Sequence, residues 1–201
     1  MSEDMLGGIT LASVAGLIND LFSKLTGPDG HLWLSAFKRF LRKENPWPKL
    51  PTWRTVKLGT HKSVEALTKA IETGGSQLSN WARDISNKVT LAKAVSEVEL
   101  VTVTVAELGF PKGATRKDIY DRAISLGLSL CPAEVGMQLR LRYEDQPKGE
   151  WLLVAMEPIA DSGVGLCVFY IGHDGDGRWL NTDSGHPGYV WHAGRRWVFL
   201  R

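Results

Sequence analysis

The sequence predicts an α+β protein: an antiparallel sheet of about four to five strands covered by helices, preceded by an N-terminal helical hairpin. Three observations carry that reading. Apolar residues recur at three- and four-residue spacing through several stretches between residues 9 and 141. From Trp151 onward, short apolar runs bounded by turn residues replace them. Between the first two helices and the rest lies Asn45-Pro-Trp-Pro-Lys-Leu-Pro51, whose three prolines remove amide donors and fix φ. The expected organisation is a hairpin over 1–44, a proline-rich linker over 45–51 and an α+β domain over 52–201. With 43% hydrophobic and 23% charged residues and a net charge of +2, the 201-residue chain is too apolar and too nearly neutral for disorder along its whole length.

The elements follow in order. Leu11, Val14, Leu17, Ile18, Leu21, Phe22 and Leu25 form one helical stripe over 9–25, stopped by Thr26-Gly-Pro-Asp-Gly30. Leu34, Phe37 and Leu41, widened by Trp33 and Phe40, form a second over 31–43. Ser63 is placed to cap a helix carrying Val64, Leu67 and Ile71; Gly74-Gly75 ends it. Ser76 is then read as the cap of a helix over 77–87 with Leu78, Trp81, Ala82 and Ile85 on one face. Val101, Val103 and Val105 alternate with threonines as a half-buried strand. Thr115-Arg-Lys-Asp118 is a capping box, with Asp in place of the longer Glu, and opens a helix that runs to Gly127. Cys131-Pro132 opens a short helix toward Leu139 and Leu141. Trp151–Met156 is apolar on both faces, as a central strand must be. Leu166–Ile171 is similar. Asp174-Gly-Asp-Gly177 is a hairpin turn into Arg178–Asn181, and Trp197–Leu200 is the last strand.

Several strings along the domain (Trp53–Gly59, Leu78–Ala82, Val103–Phe110, Leu130–Gly136 and Trp151–Ile159) together resemble a family of uncharacterised bacterial proteins over about residues 50–201. The resemblance implies a compact bacterial domain and carries no activity with it.

Compartment follows from what the chain lacks. Two cysteines, Cys131 and Cys167, are too few for a disulfide scaffold. The acidic start Met1–Met5 is unlike a secretory signal, and Leu6–Leu25 is too polar for a membrane span. A reduced, cytoplasmic protein with no membrane contact is expected. No cofactor is expected, and oligomeric state is not legible.

Two segments carry functional signals. Residues 31–62 hold eight basic side chains against one acidic, while Trp33, Trp47 and Trp53 interleave with them. Lys38, Arg39, Arg42, Lys43 and Arg54 are the candidates for contact with a polyanion, nucleic acid or an acidic protein partner. A helix-turn-helix reading of 63–87 is weaker, because Gln77, Asn80, Arg83 and Asp84 make a poor outer face for DNA. The second segment, 170–197, combines Tyr170, Trp179, Trp191 and Trp197 with Asp174, Asn181, Asp183, His173, His186 and His192. Flat aromatic faces beside a few fixed polar groups hold sugars and bases. Here the candidate ligand-binding residues are His173, Trp179, Asp183, His186 and Trp191, with Glu157 beside them.

No metal site is expected. His186 and His192 stand six apart with no cysteine pair, and Asp-Gly-Asp-Gly lacks the further oxygens of a calcium loop. Cys131, ahead of a helix N-terminus, is weighed as a nucleophile and read as a small apolar residue. Glu134, Glu157 and Asp161 are the carboxylates available for acid–base work, and no assigned catalytic group emerges. The leading expectation is a non-enzymatic binding or interaction protein acting through the basic segment. The alternative is a small-molecule-binding or hydrolase-like site in 170–197.

Overall fold

The computed structural model describes residues 11–42 and 50–201. It divides into two compact units, Met1–Lys49 and Leu50–Arg201. Most of the expected linker, and Lys43, lie outside the described residues.

In the first unit, α1 (Leu11–Thr26) and α2 (Gly30–Leu41) pack as a hairpin. Lys24 pairs with Asp20 one turn back at 3.1 Å and also lies 4.8 Å from the Trp33 ring. Both stripes are as expected in position, yet α2 buries no residue. Leu17, Phe22, Leu32, Phe40 and Leu41 are exposed.

The second unit is built on a large, curled, mixed sheet. Its strands are β1 (Arg54–Leu58), β2 (Ser76–Leu78), β3 (Ser96–Thr104), β5 (Trp151–Val154), β6 (Ile159–Ala160), β7 (Leu166–Asp174), β8 (Gly177–Ser184) and β10 (Arg196–Leu200). The order across it is β1-β3-β10-β5-β7-β8-β2, with β6 on β7. Two short strands, β4 (Ala114–Thr115) and β9 (Val190–Trp191), pair separately.

The α+β class holds, but the expected purely antiparallel sheet of four to five strands does not. β10 returns to the middle of the sheet and runs parallel to β5, and β2 runs parallel to β8. β2 is also the correction to the second helical pair. Ser76 is buried in a three-residue strand, and the helix begins only at α4 (Asn80–Ser86), where Ser79 Oγ accepts from Ala82 N at 3.1 Å. A helix-turn-helix is thereby ruled out, since a strand intervenes. Two other caps stand where expected. Ser63 accepts from Ala66 N at 3.2 Å at the head of α3 (Val64–Thr73). Thr115 accepts from Asp118 N at 3.2 Å at the head of α5 (Arg116–Ser125).

The sheet's two faces are covered unequally. Paired residues share a face and successive ones alternate. Val56, Leu58, Leu100, Leu152, Val154, Phe169, Ile171 and Leu180 therefore face one way, and all are buried. Helix α6 (Glu134–Arg142) packs on this inner face. It touches β1 near one sheet edge and β7 and β8 near the other, which the curl makes possible. Every residue from Glu134 to Arg140 is buried. Gly136 is required here: a Cβ would come 2.9 Å from the Phe169 side chain.

Two charges are buried with α6. Glu134 takes Gly59 N and Ala92 N at 2.7 Å each and Gln138 Nε2 at 2.9 Å, so it staples two loops to the helix. Arg140 donates to Gln146 Oε1 at 2.5 Å, to the Gly172 carbonyl at 3.3 Å and to the Tyr143 carbonyl. On the outer face α5 covers the centre: Tyr120 meets Trp197 and Phe199 edge-on at 5.5 and 6.0 Å. Among the described residues, no helix is long and apolar enough to cross a membrane.

Candidate functional site

Beyond α5 the outer face of β5, β7 and β8 carries a different population. Register places Trp151, Gly172 and Trp179 in one row across the three strands, with Leu153, Tyr170 and Asn181 in the next. Trp151 and Tyr170 stack at 4.9 Å with their planes 18° apart. Gly172 makes the floor: a Cβ there would lie 3.3 Å from Tyr170 and 3.4 Å from Trp151. A cleft of about 200 Å³ results, lined by Trp151, Tyr170, Gly172, Asp174, Trp179 and Asn181. Trp151 is 39% exposed, high for a tryptophan in a strand.

Polar groups border the aromatics. Asp174 caps the hairpin by accepting Asp176 N at 2.9 Å through one oxygen. Asp183 lies farther along the same face of β8, one oxygen accepting Ser184 N at 2.7 Å. Burial, followed by the Asp183 charge, pushes the Tyr170 phenol above its usual value, so it remains a hydrogen-bond donor at neutral pH. The Arg195 guanidinium lies 5.4 Å from the Trp151 ring.

Comparison with known protein families, with curated proteins and with solved structures found no match to this chain.

Of the candidates in 170–197, the structure brings Trp179 and Asp183 onto this face and disperses the rest. His173 is on the inner face, where its Nδ1 donates to the Gln146 carbonyl at 2.5 Å. His186 is taken up in a turn, its Nδ1 accepting Gly188 N at 3.2 Å. Trp191 is buried against Trp197 at 5.2 Å. Glu157 is exposed between β5 and β6. Trp151, Gly172 and Arg195 were not among the sequence candidates. Their signal is cross-strand register, which adjacent residues in the chain do not display.

The basic candidates divide between the two units. Lys38 and Arg42 are exposed on or just beyond α2, and Arg39 is half-buried there. Arg54 belongs to the domain, bonded to Asp145 at 3.0 Å and lying 4.2 Å from the Tyr143 ring, while Trp53 meets Tyr143 edge-on at 5.3 Å. Arg54 is thus committed to structure.

The remaining chemical candidates are structural too. Burial pushes the Cys131 thiol far up, which outweighs any help from the helix that starts three residues later. Glu134 is consumed by backbone amides. Asp161 accepts Gly163 N and Gly165 N at 2.8 Å and so holds its own loop. Among the described residues, no group of three or more His, Cys, Asp or Glu could hold a metal ion.

Proposed function

We propose that the domain is a carbohydrate-binding module, and that the outer face of β5, β7 and β8 is its binding surface. The observation carrying this reading is the Gly172-floored cleft with Trp151 stacked on Tyr170 on one side and Trp179 on the other. A pyranose ring presents a flat face of C–H groups that packs on indole, and its hydroxyls need in-plane acceptors and donors. Asp174, Asn181 and the Tyr170 hydroxyl border the rings and offer them. Carboxylates beside the cleft disfavour a phosphate chain, so the same aromatics support nucleic acid less well. Of the basic candidates in 31–62, Arg54 is paired with Asp145, and the polyanion reading is the rival that oligo-dT titration tests. On the strings Trp53–Gly59, Leu78–Ala82, Val103–Phe110, Leu130–Gly136 and Trp151–Ile159, the domain is read as a member of the family of uncharacterised bacterial proteins.

The test is titration of the full chain with neutral and acidic hexasaccharides, followed by tryptophan fluorescence and calorimetry. Cellohexaose, chitohexaose and an alternating glucuronate–N-acetylglucosamine hexamer are the probes, with oligo-dT as the rival ligand. Saturable saccharide binding that Trp179→Ala weakens at least tenfold supports the reading. Binding of oligo-dT alone, falling steeply with salt, overturns it.

A further inference from the structure

A second cavity, about 400 Å³, adjoins the first and shares Trp151 as a wall. Gly149, Glu150, Gly194, Arg195 and Arg196 complete its lining. The two glycines leave it room. Its charges are unequally committed. Glu150 takes Arg196 Nη1 at 2.7 Å on one oxygen and the Tyr143 hydroxyl at 2.7 Å on the other. Arg196 is also bonded to Thr102 Oγ1 at 3.0 Å. That pair therefore cancels. Arg195 has no ion pair among the described residues; its guanidinium lies over Trp151, and its backbone carbonyl and amide serve Val105 N and the His192 carbonyl. The lining thus holds one cation with no ion pair among the described residues, Arg195, at the wall shared with the aromatic cleft.

We infer that the ligand is an acidic saccharide: a neutral ring in the Trp151–Trp179 cleft, and a carboxylate on the adjoining sugar paired with Arg195 in the wide cavity. This rests on the carbohydrate reading and refines it. The Arg195 guanidinium lies over the Trp151 ring at 5.4 Å, and a guanidinium's planar fork matches a carboxylate. Asp174 and Asn181 border the other cavity, so recognition of hydroxyls and recognition of charge are spatially divided along the groove.

The experiment compares the glucuronate–N-acetylglucosamine hexamer with its carboxyl-reduced form, an oligosaccharide of the same length without the charge. The acidic hexamer is expected to bind about tenfold tighter at low salt, the value of one charge-assisted pair. In Arg195→Gln that preference should vanish; Arg195→Lys should restore part of it. Thermal unfolding of each variant checks that the fold is retained. Equal affinity for the two forms overturns the acidic ligand and leaves carbohydrate binding standing. A preference that survives Arg195→Gln overturns the assignment to Arg195. Failure of both hexamers and of the neutral panel to bind overturns the carbohydrate reading itself, and this inference with it.

Discussion

The two faces of the β7–β8 hairpin are made by alternate residues of the same strands, yet they answer to different demands. Phe169, Ile171 and Leu180 look inward and are fully buried under α6. Tyr170, Trp179 and Asn181, one residue away from each, look outward and are only partly covered. Inside, even charge is absorbed: the Arg140 guanidinium lies beneath Gly172 and bonds to its carbonyl. Outside, aromatic surface and carboxylate oxygens are left in reach of solvent. A strand pair lets packing and binding be varied almost independently, because the period of two sends neighbours to opposite sides. The expectation is that inner substitutions cost stability and outer ones cost binding.

The largest effect should come from Phe169→Ala. The ring is fully buried against α6, close enough to Gly136 that no Cβ fits there. Loss of about 4 kcal/mol of unfolding free energy is expected in urea titration. A loss under about 1 kcal/mol would break the claim that α6 and β7 share one tight core. Arg140→Met comes next, at about 3 kcal/mol. Methionine fills much of the same volume but leaves the Gln146, Gly172 and Tyr143 acceptors without their donor. Burial, then the neighbouring Arg178 charge, pulls Arg140 down to about 10, so it is still protonated at neutral pH and those bonds are charge-assisted. A stability equal to the native protein's would show that the buried cation is replaceable by apolar packing alone.

How much of this the sequence displays depends on how local the signal is. α1, α3 and α5 have one buried or partnered side, so their stripes and the Ser63 and Thr115 caps are visible in a window of residues. α6 is enclosed by β1, β7, β8 and α3, and its buried Glu134, Gln138 and Arg140 resemble solvent-facing positions until their partners are known. β2 is three residues long between Gly75 and Ser79, too short to show a period. The site is legible in the same proportion. Trp179 and Asp183 are read from one strand's composition. Trp151 joins them only because Leu152 pairs with Ile171 and Ile171 with Leu180, a register set by the whole sheet.

On the outer face, Trp151→Ala should leave unfolding free energy within about 1 kcal/mol of the native value, since the ring is substantially exposed. It should nonetheless abolish measurable saccharide binding, by removing the wall common to both cavities. Gly172→Ala sharpens the point. The added methyl intrudes on the Trp151–Tyr170 stack, 3.3 Å from the Tyr170 ring and 3.4 Å from Trp151. Binding should weaken several-fold with stability little changed. A large stability loss from either variant would mean that the outer aromatics are core.

The smallest effect tests the rim, where the inner face emerges at the start of β7. Cys167 is half-buried there, and its Sγ donates to Asp161 Oδ2 at 3.4 Å. Burial first, and then the Asp161 carboxylate by hydrogen bond and by charge, push the thiol up to about 11. A thiol raised in the folded state keeps its proton while the unfolded chain ionises. Stability should therefore be complete below about pH 9 and decline slightly as pH rises from there through about 11. Reactivity gives the clearer readout. Alkylation of native Cys167 by iodoacetamide should be slow at pH 8 and climb through pH 11, because the thiolate is the nucleophile. Asp161→Asn removes the charge that opposes ionisation, so the midpoint should fall and the rate at pH 8 rise. Cys131, wholly buried, should stay unmodified until the protein unfolds. Rapid alkylation of native Cys167 at pH 8 would show that the Asp161 loop does not close over it, and that the outer face extends round the end of the strand.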